Sequence, residues 1–421
     1  MIRTLPRLDA VAITVAAPPS KSYTHRALIT GALGEGRTTL ERPLLATDTL
    51  LTMEALRQLG VPITVNDDRA VVEGCNGRLP ARQETLLDLD NSGTSLRLLA
   101  SLALLCPVPV TLTGSARMQE RPIGPLADAL TTIGGSVQFL NTDGYPPVKV
   151  RGRLRGGQVA VDGSMSSQFI SSILLSAPYA EQNIDLVIPA PPASQSYLDV
   201  TLDVMETFGA QVSREGYARF TVSNRSHYTG RRYAIEGDYS SASYFFALAA
   251  ICGGRATVTS LAADSVQGDR RFIDALRQMG CTVTRGTDAV TVERSGPLAG
   301  ITVDMSASPD TVQTLCMVAA GAGTPTTITG ISHLKFKESD RISSTAERLQ
   351  LLGGDVQVSG DRITIRPAHL HGGSIDPAND HRTAMSFAVL GCGIGGVTIQ
   401  NAECVNKSFP GFWEQLAGIT G

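Results

Sequence analysis

Lys21, Ser22 and Arg26 lie within the run Pro18-Pro19-Ser20-Lys21-Ser22-Tyr23-Thr24-His25-Arg26, which continues into the small-residue segment Ala27 to Leu33. Two fixed-φ prolines followed by a hydroxyl residue predict a helix beginning near Ser20. The first two turns of that helix then carry two cations and a serine beside unpaired backbone N–H groups and the positive end of the helix dipole. The chemistry this allows is the seating of an anion. Taken alone, the stretch reads equally well as a capped helix with a solvated basic face.

Other residues with chemical reach fall in short polar loops. Glu120-Arg121-Pro122-Ile123-Gly124 sets an arginine before a helix-start proline, and Lys335 to Arg341 holds five charges in seven residues ahead of a helix from Ile342 to Leu352. Asn379-Asp380-His381-Arg382 and Asn406-Lys407-Ser408-Phe409-Pro410 complete the set. By composition the run 335–341 is an ordinary solvated turn. Asp310 alone is a first-turn carboxylate complementing a helix dipole, and His381 is a hydrogen-bonding residue at a helix start. Position argues further. Arg26, Arg97, Arg121, Arg341, Arg382, Lys21, Lys337 and Lys407 all sit at or beside helix starts, and eight cations gathered on one surface repel one another unless a polyanion joins them.

The elements that must position these residues are repeated. Segments of the Ser20 design recur from residues 92, 164, 240, 308 and 380, at spacings of 72, 72, 76, 68 and 72. Each opens with a residue of N-cap type and continues in Ala, Leu, Ser and Gly, as a buried helix requires. A second register interleaves with it, in amphipathic helices ended by Gly60, Gly134, Gly209, Gly280 and Gly353 and followed by alternating strands such as 61–65 and 282–285. Two registers of one period predict six units, each a small subdomain containing a βαβ element and longer than a solenoid repeat. The sixth ends in Phe409 to Leu416. Ala10 to Val15 reads as a strand leading into the first helix, and it can belong to the C-terminal cluster of units.

Composition narrows the function classes. The 421 residues suffice for two or three domains, and a net charge of −3 gives no global field to recruit nucleic acid. Any anion must be caught by local geometry. The seven cysteines are scattered without a CxxC, so they predict neither a disulfide framework nor a zinc site. No signal peptide opens the chain, and the longest charge-free apolar run, Leu98 to Leu112, is too short for a bilayer. The expectation is a cytoplasmic protein without membrane or nucleic-acid partners.

The motifs Ser20-Lys21-Ser22…Arg26, Asn91-Ser92-Gly93-Thr94…Arg97, Arg117 to Ile123, Asp162 to Gln168, Glu236 to Ala242, Lys337 to Arg341 and Asn379 to Arg382 resemble, in order and across essentially the whole chain, those of the 5-enolpyruvylshikimate-3-phosphate synthase family. The resemblance implies an α/β (α+β) fold of two globular domains. Each consists of three βαβαββ subdomains with pseudo-threefold symmetry, in the manner of an inside-out α/β barrel. Residues 1–17 and 238–421 would form domain I, residues 18–237 domain II on the shikimate 3-phosphate side, with the active site in the cleft between them. The implied reaction transfers the enolpyruvyl group of phosphoenolpyruvate to the 5-hydroxyl of shikimate 3-phosphate, in a monomer that needs no cofactor and no metal.

Carried over by motif, Lys21, Ser22, Arg26, Ser166, Ser167, Gln168, Ser194, Tyr197, Asp310, His333 and Lys337 hold shikimate 3-phosphate. Lys21, Gly93, Arg121, Gln168, Arg341, Arg382 and Lys407 hold phosphoenolpyruvate, and the catalytic residues are Asp310, Glu338 and Lys21. Asp310 corresponds to the group that takes the hydroxyl proton, Glu338 to the acid that exchanges a proton with the methylene carbon. Both roles suit addition to an enol ether, which needs a proton delivered at one end while an alkoxide forms at the other.

The chain departs from the family pattern at His333, which stands for an asparagine and adds pH sensitivity, at Pro19, which stands for a glycine, and at Leu98, which stands for a proline at a helix start. Two rival readings are the sister enolpyruvyl transferase acting on UDP-N-acetylglucosamine and a non-catalytic relative that binds phosphorylated metabolites. The first normally carries a Lys-Asn pair and a loop cysteine where this chain has Lys21-Ser22 and no cysteine in 114–121, and the second should lack Asp310 or Glu338. Because Gly93 leaves room for it, glyphosate is expected to inhibit. Full activity at millimolar glyphosate refutes that expectation.

Overall fold

A computed structural model describes residues 1–420. The chain forms two compact units, one of Pro19–Ile235 and the other of Met1–Pro18 together with the chain from Glu236 onward. Each has its own hydrophobic core.

In Pro19–Ile235 three four-stranded sheets share one design. In one, Thr85–Asp88 runs parallel to Val110–Thr113, which pairs antiparallel with Val148–Gly152, itself antiparallel to Gly135–Phe139. The other unit has two such sheets and a third of three strands. There Gly373–Ile375 and Val397–Ile399 run parallel, and Arg3–Thr4 pairs antiparallel with Val397–Ile399 where a hairpin strand stands in the other sheets. The last unit ends in the helix Phe412–Thr420, so the N-terminal strand supplies the missing edge. The strand expected at 10–15 is Val11–Ala16, and it lies parallel to Gly254–Thr259. It therefore belongs to the C-terminal cluster of units. Arg232–Ala234 makes the converse pairing, parallel to Arg37–Glu41.

Six inner helices open the repeats: Lys21–Leu33, Gly93–Leu102, Ser167–Ser176, Tyr239–Cys252, Val312–Ala320 and His381–Ile394. They are buried nearly all round; in Tyr239–Cys252 only Ile251 is partly exposed. Their serines and threonines must then bond within the core. Ser101 and Ser172 hydroxyls meet at 2.7 Å, and Thr314 and Ser386 at 3.2 Å. Five of the helices have a side-chain cap, from Ser20, Ser92, Ser166, Asp238 and Asp380. Two caps fall two residues from the expected starts at 164 and 240, and the segment at 308 opens with the 3-10 turn Pro309–Thr311 before Val312. Leu98 is fully buried in the middle of Gly93–Leu102, so its position is not a helix start as the sequence reading had it. No helix among the described residues is long and apolar enough to cross a membrane.

The outer helices end at the glycines of the second register. Gly60, Gly134, Gly209, Gly280 and Gly353 all have positive φ, between 88° and 110°. That geometry strains any residue with a Cβ. At Gly209 the nearest atom to an added Cβ is the His227 carbonyl oxygen at 3.5 Å, whereas at Gly134 a Cβ would overlap the Arg153 carbonyl. Gly209→Ala should therefore cost about 1 kcal/mol, from backbone strain alone, and Gly134→Ala at least about twice that. Urea midpoints at unchanged slope measure both, and two variants as stable as wild type contradict the strain argument.

Candidate active site

In the unit that holds the C-terminal half, the first turns of three helices bring charge together. Asp310 lies in Pro309–Thr311, Arg341 opens the helix Arg341–Leu351, and Arg382 is second in His381–Ile394. The Arg341 guanidinium, 2% exposed, is held by carboxylates from three segments. Its Nη1 donates to Asp310 Oδ1 at 3.0 Å, Nη2 to Glu338 Oε2 at 2.8 Å and Nε to Asp380 Oδ2 at 2.8 Å. Arg382 Nη2 donates to the other oxygen of Asp310 at 2.6 Å. Asp380 also accepts from the Arg382 backbone N–H at 3.0 Å and from Ser339 Oγ at 2.9 Å.

Burial works against charge on Arg341 and on Asp380, but the pairing prevails. Asp380, Glu338 and Asp310 hold the guanidinium well above its ordinary pKa, and Arg341 keeps Asp380 below the usual carboxylate range. Two arginines against three carboxylates leave these five groups at −1. For Arg341 and Arg382 the mutual repulsion expected of the cations is thus corrected: fixed acids already offset their charge. Lys337 and Lys407 are half-buried at the ends of the 3-10 turns Ser332–Phe336 and Ala402–Lys407.

His333 is 5% exposed, and its Nε2 is buried with no hydrogen-bond partner. Burial first, then the Lys337 charge, pushes its pKa down to about 3. At neutral pH this imidazole is therefore uncharged.

In Pro19–Ile235 the cations are held differently. Lys21 Nζ pairs with Asp48 Oδ2 at 3.1 Å, both nearly buried. Arg26 is 2% exposed among neutral oxygens: Nε donates to Thr201 Oγ1 at 2.7 Å, Nη1 to the Ser22 carbonyl at 3.0 Å, and Nη2 to the Tyr197 carbonyl at 3.1 Å and Ser171 Oγ at 3.4 Å. Burial lowers its pKa to about 10, and four bonds occupy four of its five N–H donors. Arg97 donates to Gln168 Oε1 at 2.8 Å, and Gln168 Nε2 donates to Thr94 Oγ1 at 2.9 Å. Ser166 caps the helix that Ser167 opens. Ser194 has a φ of 55° and a buried hydroxyl with no partner. Arg121 donates to the carbonyl and the side chain of Asn91 at 2.9 and 3.1 Å and lies flat against Gly93, where a Cβ would overlap its guanidinium.

The structure thus joins Ser22, Arg26 and Tyr197 in one hydrogen-bonded group, and Asp310, Glu338, Arg341 and Arg382 in another. Sequence reasoning missed Asp48 and the carboxylate role of Asp380. Each reads as a first-turn or capping acid, and nothing local announces a cation 27 or 39 residues away.

Two α/β units, with buried cations in the opening turns of three of the six inner helices, at Lys21 and Arg26, at Arg97 and at Arg382, give the chain the architecture of a two-domain α/β protein. The family model for EPSP synthase (3-phosphoshikimate 1-carboxyvinyltransferase) matches residues 7–416. A 3-phosphoshikimate 1-carboxyvinyltransferase of Methanoregula boonei is 65% identical over 419 residues, covering 100% of both chains. That of Serratia proteamaculans is 43% identical, covering 99% of this chain and 98% of its own. The solved EPSP synthase of Acinetobacter baumannii superposes with a TM-score of 0.84 at 29% identity, covering 100% of this chain and 98% of that one. The chain belongs to the EPSP synthase family.

The His333 geometry carries a sign for stability. An unfolded histidine titrates at 6.5 and the folded one near 3, so between those values the unfolded chain binds a proton that the native state does not. Stability should fall as pH drops below 6.5, by up to about 1.4 kcal/mol per unit, and stop falling below the folded value. His333→Asn should lose this component, so that the wild-type denaturation midpoint falls relative to that of the variant as acid is added. Parallel acid profiles for wild type and variant contradict it.

Proposed function

We propose that the protein transfers the enolpyruvyl group of phosphoenolpyruvate to the 5-hydroxyl of shikimate 3-phosphate, the sixth step of the shikimate pathway to chorismate and aromatic amino acids. The observation that carries this reading is the Asp310 carboxylate clamped between the guanidinium groups of Arg341 and Arg382, with Glu338 on the same Arg341.

Arg341, Arg382, Arg121, Lys407 and Lys21, with Gly93 and Gln168, hold phosphoenolpyruvate. Its phosphate and carboxylate compete for the N–H groups that Asp310 occupies, and they free that carboxylate to act as a base. Asp310 takes the proton of the 5-hydroxyl as oxygen attacks C2, while Glu338, which enters this step in its protonated form, gives its proton to the methylene carbon, making a methyl group. The tetrahedral intermediate then loses phosphate. Glu338 takes a methyl proton back, the proton on Asp310 leaves with the phosphate, and the carbon–carbon double bond is restored, now in an enol ether. Residues 18–237 hold shikimate 3-phosphate through Lys21, Ser22, Arg26, Ser166, Ser167, Gln168, Ser194 and Tyr197, and residues 1–17 and 238–421 contribute Asp310, His333 and Lys337. The enzyme works as a cytoplasmic monomer on these two small substrates.

Phosphate release with both substrates tests the reading. Wild type should turn over, and Asp310→Asn should lower kcat by about a thousandfold in a variant that circular dichroism shows to be folded. Turnover only with UDP-N-acetylglucosamine as acceptor, or none with either, contradicts it.

A further inference from the structure

Behind the Asp310 clamp lies a carboxylate that the proposed reaction does not use. Asp269 is 4% exposed, in the 3-10 turn Gly268–Arg270. That turn is fastened to the turn carrying Asp310, because Ser308 Oγ donates to the Gly268 carbonyl at 2.6 Å. Ser240, in the first turn of Tyr239–Cys252, donates its hydroxyl to Asp269 Oδ2. The charged groups facing Asp269 are Asp238 from the cap of that helix, Asp310 from its own turn and Arg382 from His381–Ile394. On its own turn Arg270 is directed to the Ser265 carbonyl at 2.8 Å, and Glu236 is held by Gln267 and Ser265. On the helix that follows, Arg271 is exposed, and Arg277 lies beside Asp274 at 3.6 Å, well out in solvent.

Asp269 thus shares a buried space with two further carboxylates, Asp238 and Asp310, and with the Arg382 guanidinium that Asp310 already holds, so that as an anion it would compete with Asp310 for that cation. We propose that Asp269 is a positioning residue that works as the neutral acid, its proton sparing Arg382 a further negative rival so that the guanidinium remains available to phosphoenolpyruvate. This rests on the assignment of Arg382 to that substrate. Burial, then Asp310, pushes the Asp269 carboxyl up to about 7, so ionisation would arrive just above neutrality.

The test compares wild type with Asp269→Asn, a neutral acid's near isostere, in phosphate-release kinetics across pH. From about pH 6 to about pH 8.5, KM for phosphoenolpyruvate should rise about tenfold more in wild type than in the variant, with kcat changing less. A ratio of the two KM values that stays constant across pH overturns the proposal. So does a variant KM already raised at low pH, which would mean that a fixed charge is needed. If the variant does not fold, infrared difference spectra of wild type decide: a protonated-carboxyl band that titrates away near neutrality supports the assignment, and its absence overturns it. A wild type that turns over neither substrate would sink the functional reading alone, since the infrared titration still reports on Asp269.

Discussion

A guanidinium taken out of water must be surrounded by fixed oxygens, because desolvating an ion costs several kcal/mol that only close partners offset. Both units are built around that requirement. Arg341 meets it with carboxylates from three segments, and Arg26 with carbonyls and hydroxyls alone. The difference has a consequence for chemistry. Around Arg341 and Arg382 the acids outnumber the cations, so in the proposed reaction an incoming anion exchanges with them, and the displaced acid serves as the base. Around Arg26 nothing carries an opposite charge, so an anion adds to the site without displacing anything.

The inner helices make this arrangement affordable. They are almost wholly buried, their small residues allow close approach, and their hydroxyls bond to one another across the core. Each therefore opens at a defined point, and the side chains of its first turns are held by neighbours and not by solvent. Such pre-organisation is what electrostatic stabilisation of a charged intermediate requires. A chain of net charge −3 can thus hold an arginine such as Arg26 buried among neutral oxygens while remaining acidic overall.

Much of this was legible in the sequence, for physical reasons. The capping residues and the helix-ending glycines recur because each helix must begin and stop at a set place, and the repeat of about seventy residues exposed the six units. The exact starts were less legible where serines cluster. Ser164, Ser166 and Ser167 all offer a capping oxygen, and tertiary packing selected Ser166. In the fourth copy Asp238 prevailed over the serines after it. The acids that pair with the cations were hidden, since Asp48, Asp269 and Asp380 look like any helix-start carboxylate until the fold supplies their partners. Resemblance supplied roles for Asp310 and Glu338, but not the double arginine clamp.

The central claim is that a buried, charge-uncompensated guanidinium is kept for an anionic ligand. Calorimetric titration of shikimate 3-phosphate into wild type and Arg26→Gln addresses it most directly. The account predicts saturable binding to wild type and a loss of about a hundredfold in the variant, in line with removing a buried charge-assisted contact. Affinities within a factor of about two, with the variant folded, would contradict it.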